Sequence, residues 1–281
     1  MKYLRLNDMN KVSLVWLLSL FSSIILAQEM KLSENELRKQ LDSVLNEGNL
    51  LYKYEKSTWI SSDLAFENPI VKAEYSDYLT YEDHDVIRTI ILSKGLKTCI
   101  AEYTFENNFD NPKFVKIEKR ELSEKEKNLI DVRVKLLKNV KSRKYGVTAP
   151  KGYNLNFILV PFSDKYKLYI ITGTTQPNVI PLGNDYIFIA DKNGVIESWH
   201  KFHSQLIPGY TMYNGNRVVG LVHTHLRTTP LITATEICTF MLYAPLYDVN
   251  SLSIISPVIG RYIMKYSLKE NEITVNEIDA K

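Results

Sequence analysis

The stretch VVGLVHTHLRTTPLITATE, residues 218–236, joins an apolar strand, a polar loop and the start of a helix. Successive side chains alternate between the two faces of a strand, so His223 and His225 are expected to point the same way. The strand carries apolar residues on both faces, which predicts a central position in its sheet. Glu236 follows His225 by eleven residues, in the first turn of a helix predicted over about Ala234–Tyr243.

Two imidazoles and a carboxylate at this spacing can supply three ligands of a tetrahedral zinc site, with the fourth position open for water. A metal ion would make that water a nucleophile near neutral pH. An alternative needs no metal, because Thr233 and Glu236 form a T-x-x-E capping box and the histidines can donate to backbone carbonyls. Two histidines on one face of a buried strand are costly unless their ring nitrogens are paired, which favours the metal site.

These residues resemble the JAMM (MPN-type) metalloproteases. That family carries His-x-His-Pro after an apolar, glycine-containing strand, and a Ser-x-x-Asp pair on the following helix. Gly220, His223, His225, Thr233 and Glu236 fall at the matching offsets. The resemblance implies that His223, His225 and Glu236 bind the metal and that Thr233, in place of the serine, steadies the tetrahedral intermediate.

The resemblance covers roughly residues 125–267 in element order and residues 218–236 in motif. Leu226 replaces the family's proline, and Thr233 and Glu236 replace its serine and aspartate. The family also has an upstream glutamate that polarises the water, and the corresponding strand here, KYKLYIITG, has no acidic residue. Asp185 and Glu197 are the nearest acids, and neither lies on the expected element. Without such a base, proton transfer loses a factor of about one hundred or more.

The other histidines are weaker candidates. His200 and His203 precede the motif, and this clustering suggests a metal or proton-transfer site. His203 is a candidate extra ligand or water-orienting group, although a surface or core histidine is the favoured interpretation. His84 is predicted as a solvated residue at a helix start, and Asp185 as a turn residue that could line a pocket.

Residues 1–27 are predicted to be a signal peptide. Lys2, Arg5 and Lys11 precede the apolar run Val12–Leu26, and Ala27 marks the expected cleavage site. No later stretch approaches the length of a spanning helix. The mature chain is therefore predicted to be exported, periplasmic or extracellular, and to have no membrane span.

Charge and cysteine content limit the partners. The chain has 35 basic and 32 acidic residues, and residues 1–27 hold three and one of them, which leaves 32 and 31 and a net charge of +1. Such a chain has no electrostatic reason to bind nucleic acid or anionic lipid. Cys99 and Cys238 could pair in an oxidising compartment, but their apolar neighbours favour two buried thiols.

Local patterns predict the elements of the N-terminal half. Ser33 and Glu36 form a capping box that opens a helix over Glu34–Leu45, which Gly48 is expected to stop. A second helix is predicted over Asp83–Lys94, and a β-hairpin over residues 101–106 and 114–121. Another capping box, Ser123 with Glu126, opens a helix to about Val140.

From Tyr153 onward, short apolar strands alternate with turns, and one helix interrupts them, so the fold class is predicted to be mixed α/β. An α+β region over residues 28–122 is expected to precede a JAMM/MPN-like layered domain over residues 123–281, with a mixed sheet flanked by helices. The predicted function is an exported zinc-dependent hydrolase that cuts a peptide, isopeptide or related amide bond in a peptide or protein substrate. The alternative is a non-catalytic exported protein that retains a degenerate form of this fold and binds a peptide, a glycan or another envelope protein.

Overall fold

The computed structural model describes residues 33–256 and 262–277, and the predicted signal peptide lies outside these ranges. The fold is mixed α/β. Its four described α-helices are α1 (Glu34–Glu67), α2 (Pro69–Glu74), α3 (Glu124–Val140) and α4 (Ala234–Tyr243). Within the described ranges, no helix combines the length and hydropathy that crossing a membrane requires.

The strands lie in several sheets that are mainly antiparallel. They are β1 (Tyr75–Asp83), β2 (Val86–Ser93), β3 (Thr98–Phe105), β4 (Phe114–Lys116), β5 (Arg120–Glu121), β6 (Asn154–Phe162), β7 (Lys165–Gly173), β8 (Val179–Gly183), β9 (Tyr186–Ala190), β10 (Ile196–Lys201), β11 (Leu206–Tyr210), β12 (Met212–Tyr213), β13 (Asn216–Arg217), β14 (Gly220–Thr224), β15 (Ser251–Ile255), β16 (Tyr262–Ser267) and β17 (Glu272–Glu277).

The sheet that carries the histidine motif is the mixed one. Its order is β14-β15-β16-β17, with β14 and β15 parallel and the other pairs antiparallel. Helix α4 lies between the two parallel strands in the chain, as a crossover connection requires. A second sheet has the order β10-β9-β7-β6, and β8 pairs with β11. The N-terminal sheet has the order β1-β2-β3-β4, with β5 also paired to β3.

Helix α1 is much longer than the predicted Glu34–Leu45. Its capping box is confirmed, since Ser33 Oγ accepts from the Glu36 amide and the Glu36 carboxylate accepts from the Ser33 amide. The predicted stop at Gly48 is wrong. A Cβ on this glycine would lie 2.7 Å from Ile237 Cβ of α4, so Gly48 permits close packing of two helices.

The helix predicted over Asp83–Lys94 is also wrong, because this segment forms a hairpin of β1 and β2. The turn residues His84 and Asp85 have φ angles of 49° and 64°. Two consecutive residues with positive φ are typical of the type I′ turn that joins two antiparallel strands. Val86, Ile87 and Ile90 then favour a strand. Each has two heavy atoms bonded to Cβ, and such branched side chains fit better in a strand than in a helix. His84 is exposed there in the turn.

The other predicted elements are largely present. The hairpin is confirmed as β3 paired with β4 and β5, and the helix that begins after Ser123 is confirmed as α3, with its capping box. Strands β7 and β14 and helix α4 lie where they are predicted, and β6, β9, β10, β15 and β16 are further short strands of the region after Tyr153, as expected. The short strands β8, β11, β12, β13 and β17 were not predicted.

The buried apolar residues form two clusters, and each contains residues from both sides of the predicted boundary at 122/123. One cluster includes Leu51 of α1 and Ile237 of α4, and the other includes Leu79 of β1 and Phe188 of β9. Cys99 and Cys238 are buried free thiols in different clusters. The division into two domains stays a prediction.

Candidate metal centre

Strand β14 carries the histidine motif at the edge of its sheet, and not in the centre as predicted. Only β15 pairs with it in the described sheet. Val219 and Val222 are 69% and 63% exposed. The prediction of a central strand relied on apolar residues on both faces. Val222 is one of these residues, but it lines an open cleft and does not pack under a neighbouring strand.

The predicted acid and both predicted histidines nevertheless meet. His223 lies in β14 and His225 just beyond its end, and their Nε2 atoms are 3.2 Å apart. Glu236, in the first turn of α4, places Oε1 2.7 Å from His223 Nε2 and 2.9 Å from His225 Nε2. The carboxylate is buried, with 1% of its residue surface exposed.

His203, in the loop between β10 and β11, completes the group. Its Nε2 atom lies 3.2 Å from His225 Nε2 and 3.3 Å from Glu236 Oε1. The favoured prediction of a plain surface or core histidine missed this contact, although the clustering of histidines had signalled it. The four ligand atoms all lie within 4.8 Å of one another. We call His203, His223, His225 and Glu236 the His₃Glu cluster.

The donor set and spacing of the His₃Glu cluster fit a divalent metal ion. Three imidazole nitrogens and one carboxylate oxygen are common ligands of zinc. Zinc bonds of about 2.0 to 2.2 Å in a tetrahedron require ligand atoms roughly 3.3 to 3.6 Å apart. Five of the six distances within the cluster are 2.7 to 3.3 Å. Small outward shifts of the side chains would therefore accommodate the ion.

Hydrogen bonds behind the cluster orient two of the rings. His225 Nδ1 lies 3.0 Å from the carbonyl of Thr229, which can only accept, so Nδ1 carries a proton and Nε2 is the nitrogen that faces the centre. His203 Nδ1 donates to Asp185 Oδ1 over 2.7 Å, and Thr235 donates to the other oxygen of Asp185. Partners of this kind are typical of metal-ligating histidines.

The charges of the cluster support one another. Burial opposes ionisation of Glu236, but the nearby imidazoles hold its pKa well below the usual range. Burial also disfavours a charged His203, yet hydrogen bonds to Asp185 and Glu236 raise the pKa of this ring to about 10. Without a metal ion, a proton on His203 therefore compensates the buried carboxylates.

Thr233 contacts the cluster through Glu236. Its amide and its hydroxyl lie 2.8 and 3.0 Å from Glu236 Oε2, and the Glu236 amide donates back to the hydroxyl over 3.2 Å. This is the predicted capping box, now confirmed and buried. Its effect is to hold Oε2 so that Oε1 faces the three histidines.

The other candidate residues from the sequence differ in whether they contact the His₃Glu cluster. Asp185 contacts the centre through His203, whereas the sequence favoured a turn residue and gave a place in the pocket only as the alternative. His200 reaches the centre only indirectly, with Nε2 2.9 Å from Thr229 Oγ1. Glu197 pairs with Lys165 on the surface and His84 lies in an exposed turn, so neither contacts the cluster.

One side of the centre opens to a cleft. His223 has an 11% exposed side chain and lines this cleft, which has a volume of about 280 Å³. The other lining residues are mainly apolar or aromatic, among them Leu182, Ile207, Met212 and Val222. A ligand in the cleft would approach the cluster from the His223 side.

Comparisons of the chain with protein-family models, curated proteins and solved structures found no match. The resemblance to the JAMM proteases therefore stays a prediction that depends on the motif residues alone.

Proposed function

We propose that the protein is a zinc-dependent hydrolase that cuts peptide, isopeptide or related amide bonds, and that it is exported. The observation that carries the proposal is the convergence of three Nε2 atoms and Glu236 Oε1 beside an open cleft. The order β14, α4, β15 also supports a JAMM-like arrangement, because one strand presents the histidines and the crossover helix presents the acid.

In this proposal His223, His225 and Glu236 hold the zinc ion. Zinc supplies a Lewis acid that polarises a carbonyl group and activates water at neutral pH. Imidazole and carboxylate donors also suit iron, so metal analysis has to distinguish the two ions.

His203 and Asp185 then replace the missing upstream glutamate. The Nε2 atom of His203 faces the centre, and Asp185 accepts from Nδ1 on the other side of the ring. A carboxylate behind an imidazole fixes the ring and stabilises the imidazolium that forms when the ring takes a proton. Without the ion His203 carries a proton, and a bound zinc ion would supply positive charge in its place. We therefore assign His203 as proton acceptor in the zinc-bound protein and Asp185 as the residue that positions it.

Thr233 has a positioning role in this site, because its hydroxyl and amide both contact Glu236 Oε2. A direct contact of Thr233 with the reacting carbonyl, as the family resemblance implies, stays a prediction. The apolar lining of the cleft beside His223 suits a substrate with an apolar side chain next to the bond that is cut.

The test combines metal analysis with hydrolysis of a mixed peptide and isopeptide library. The wild-type protein should contain one zinc per chain and cleave members of the library. His223→Ala should lose both zinc and activity. His203→Gln should keep zinc but lose activity by about a hundredfold or more, as expected for a lost proton acceptor. A wild-type protein that holds neither zinc nor iron would refute the proposal.

A second candidate is a non-catalytic exported protein that binds an envelope partner. It is favoured by the position of His203, which makes four protein donors available. Four protein ligands close a zinc site and are typical of structural zinc. If His203→Gln loses zinc as His223→Ala does, and the zinc-loaded wild type hydrolyses no amide, this candidate replaces the first.

A further inference from the structure

A second cleft lies between α1, the strands β6 and β7, and the C-terminal end of α4. Its volume is about 500 Å³. Among the described residues that line it there is no lysine, arginine or histidine, whereas Glu55 and Asp63 are acidic. Aromatic and polar residues form most of its wall, namely Trp59, Tyr78, Asn156, Thr174, Tyr243 and Tyr247. The cleft therefore offers negative charge and aromatic rings without a basic group.

Glu55 of α1 is the buried charge in this cleft, with 2% of its surface exposed. Trp59 Nε1 and Asn156 Nδ2 donate to the same oxygen, Oε1, over 2.8 and 2.6 Å. Both donors are neutral groups, so they do not compensate the charge of the carboxylate. A buried carboxylate needs a compensating charge, and the described residues of the cleft wall include no cation.

Two aromatic side chains, Trp59 and Tyr243, form a corner of the cleft wall beside Glu55. The rings of Trp59 and Tyr243 have centroids 5.1 Å apart and planes at 82°. The Tyr243 hydroxyl accepts from the Thr174 amide over 2.9 Å and lies 3.3 Å from the Thr174 carbonyl, which holds its ring. Faces of Trp and Tyr attract organic cations, and corners of this kind recognise ammonium groups.

We propose that this cleft binds an organic cation with an ammonium head group, with Glu55 as its counter-ion and Trp59 and Tyr243 as its aromatic walls. The site is separate from the His₃Glu cluster. Glu236 lies in the first turn of α4 and Tyr243 at its end, seven residues and about 10 Å further along the helix axis. The cleft also adjoins the C-terminal end of α4, where the helix dipole favours positive charge. The inference does not depend on the proposed hydrolase.

Binding should require ionised Glu55. Burial raises the pKa of Glu55 to about 7, against the hydrogen bonds from Trp59 and Asn156. The nearby Tyr78, Cys238 and Tyr243 all have pKa values raised by burial, so they stay neutral at pH 5.5 to 8. Among the described residues, the other charged groups nearby include Asp63 on the rim of the cleft and Arg133. Arg133 lines a small neighbouring cavity together with Glu55, and it forms an ion pair with Asp77.

Calorimetric titration tests the site with matched probes. Choline and its uncharged carbon analogue 3,3-dimethylbutanol have the same shape, and n-butylammonium and n-butanol give the comparison for a primary amine. At pH 8 at least one cation should bind about tenfold or more tightly than its neutral analogue. Its affinity should fall about tenfold or more at pH 5.5. The cation that binds more tightly identifies the ligand as a quaternary or a primary ammonium.

Three variants test whether the proposed residues are responsible for cation binding. Glu55→Gln keeps the size of the side chain and an acceptor for Trp59, and should abolish the preference for the cation. Trp59→Leu should weaken choline binding without removing the charge. Glu67→Gln makes the same charge change at an exposed position of α1 outside the cleft, and should bind as the wild type does. Equal binding of cation and neutral analogue, no binding of either cation, or unchanged binding by Glu55→Gln would overturn the proposal.

Discussion

At the scale of single residues, the position of one carboxylate oxygen decides what the centre can do. Glu236 Oε1 lies within 3.3 Å of three Nε2 atoms, and Thr233 contacts the other oxygen. The T-x-x-E pattern had two interpretations, a helix cap or part of a metal site. The structure shows that the cap itself aims the carboxylate at the histidines, so the two interpretations are compatible.

Replacement of Thr233 should therefore affect both stability and metal binding. Thr233→Ala removes the cap hydroxyl and should lower the free energy of unfolding by about 1 kcal/mol. The loss of a hydrogen bond that orients a ligand should weaken zinc binding about 10- to 100-fold. Competition with a zinc chelator measures the affinity, and urea unfolding of the metal-free protein measures the stability. Thr233→Ser keeps the hydroxyl and should behave as the wild type does; equal zinc affinity in all three proteins would contradict the prediction.

Glu55 should make stability depend on pH. Its pKa is raised from 4.5 to about 7, so the folded protein holds this proton more tightly than the unfolded chain does. Well below pH 4.5, Glu55 is protonated in both the folded and the unfolded protein, so it adds nothing to the pH dependence of stability. As pH rises through 4.5 to 7 the wild type loses up to about 3 kcal/mol of stability through this group. Glu55→Gln lacks this loss, so its stability relative to the wild type should increase between pH 4 and pH 8 in urea unfolding. A constant difference would show that Glu55 is not the cause.

At the scale of elements, the packing of α1 against α4 positions the centre. Local patterns identified the start of each helix, because a capping box depends on residues three apart in the chain. They failed for the end of α1, since Gly48 breaks isolated helices but here allows Ile237 of α4 to approach. They failed for β2 as well, because its apolar residues fit both the helical and the strand period. The turn at His84 and Asp85 instead directs the chain into a hairpin.

Gly48→Ala should destabilise the protein, although alanine favours an isolated helix by about 1 kcal/mol. The new Cβ would lie 2.7 Å from Ile237 Cβ, so α1 and α4 would have to separate. Overpacking of this kind costs about 1 to 3 kcal/mol, measured as the free energy of unfolding. Ser43→Ala, at an exposed position of the same helix, should instead leave stability unchanged or slightly increase it. If Gly48→Ala stabilises the protein as much as Ser43→Ala does, the close approach is wrong.

At the scale of the whole molecule, the His₃Glu cluster links parts of the chain that are far apart in sequence. His203 comes from the loop after β10, His223 and His225 from β14 and its end, and Glu236 from α4. An ion bound at this cluster would bind the folded state and not the unfolded chain, so it would stabilise the fold.

Removal of the metal should therefore lower the melting temperature. With free zinc at a thousand times the dissociation constant, the stabilisation is about 4 kcal/mol, which corresponds to roughly 8 to 16 °C for a chain of this size. Thermal unfolding with added zinc and with a chelator measures the shift. His223→Ala should melt at the same temperature in both conditions. An unchanged melting temperature of the wild type would contradict metal binding at the cluster.

The sequence by itself determined what depends on near neighbours: three capping boxes, most strands, the pairing of His223 with His225, and the delivery of Glu236 by the next helix. Only the tertiary structure decided that His203 joins them, that Asp185 orients it, and that β14 is an edge strand. His203 and Asp185 are 18 residues apart, and His203 and Glu236 are 33 apart. No helical or strand period relates such positions, because the packing of separate elements places them side by side.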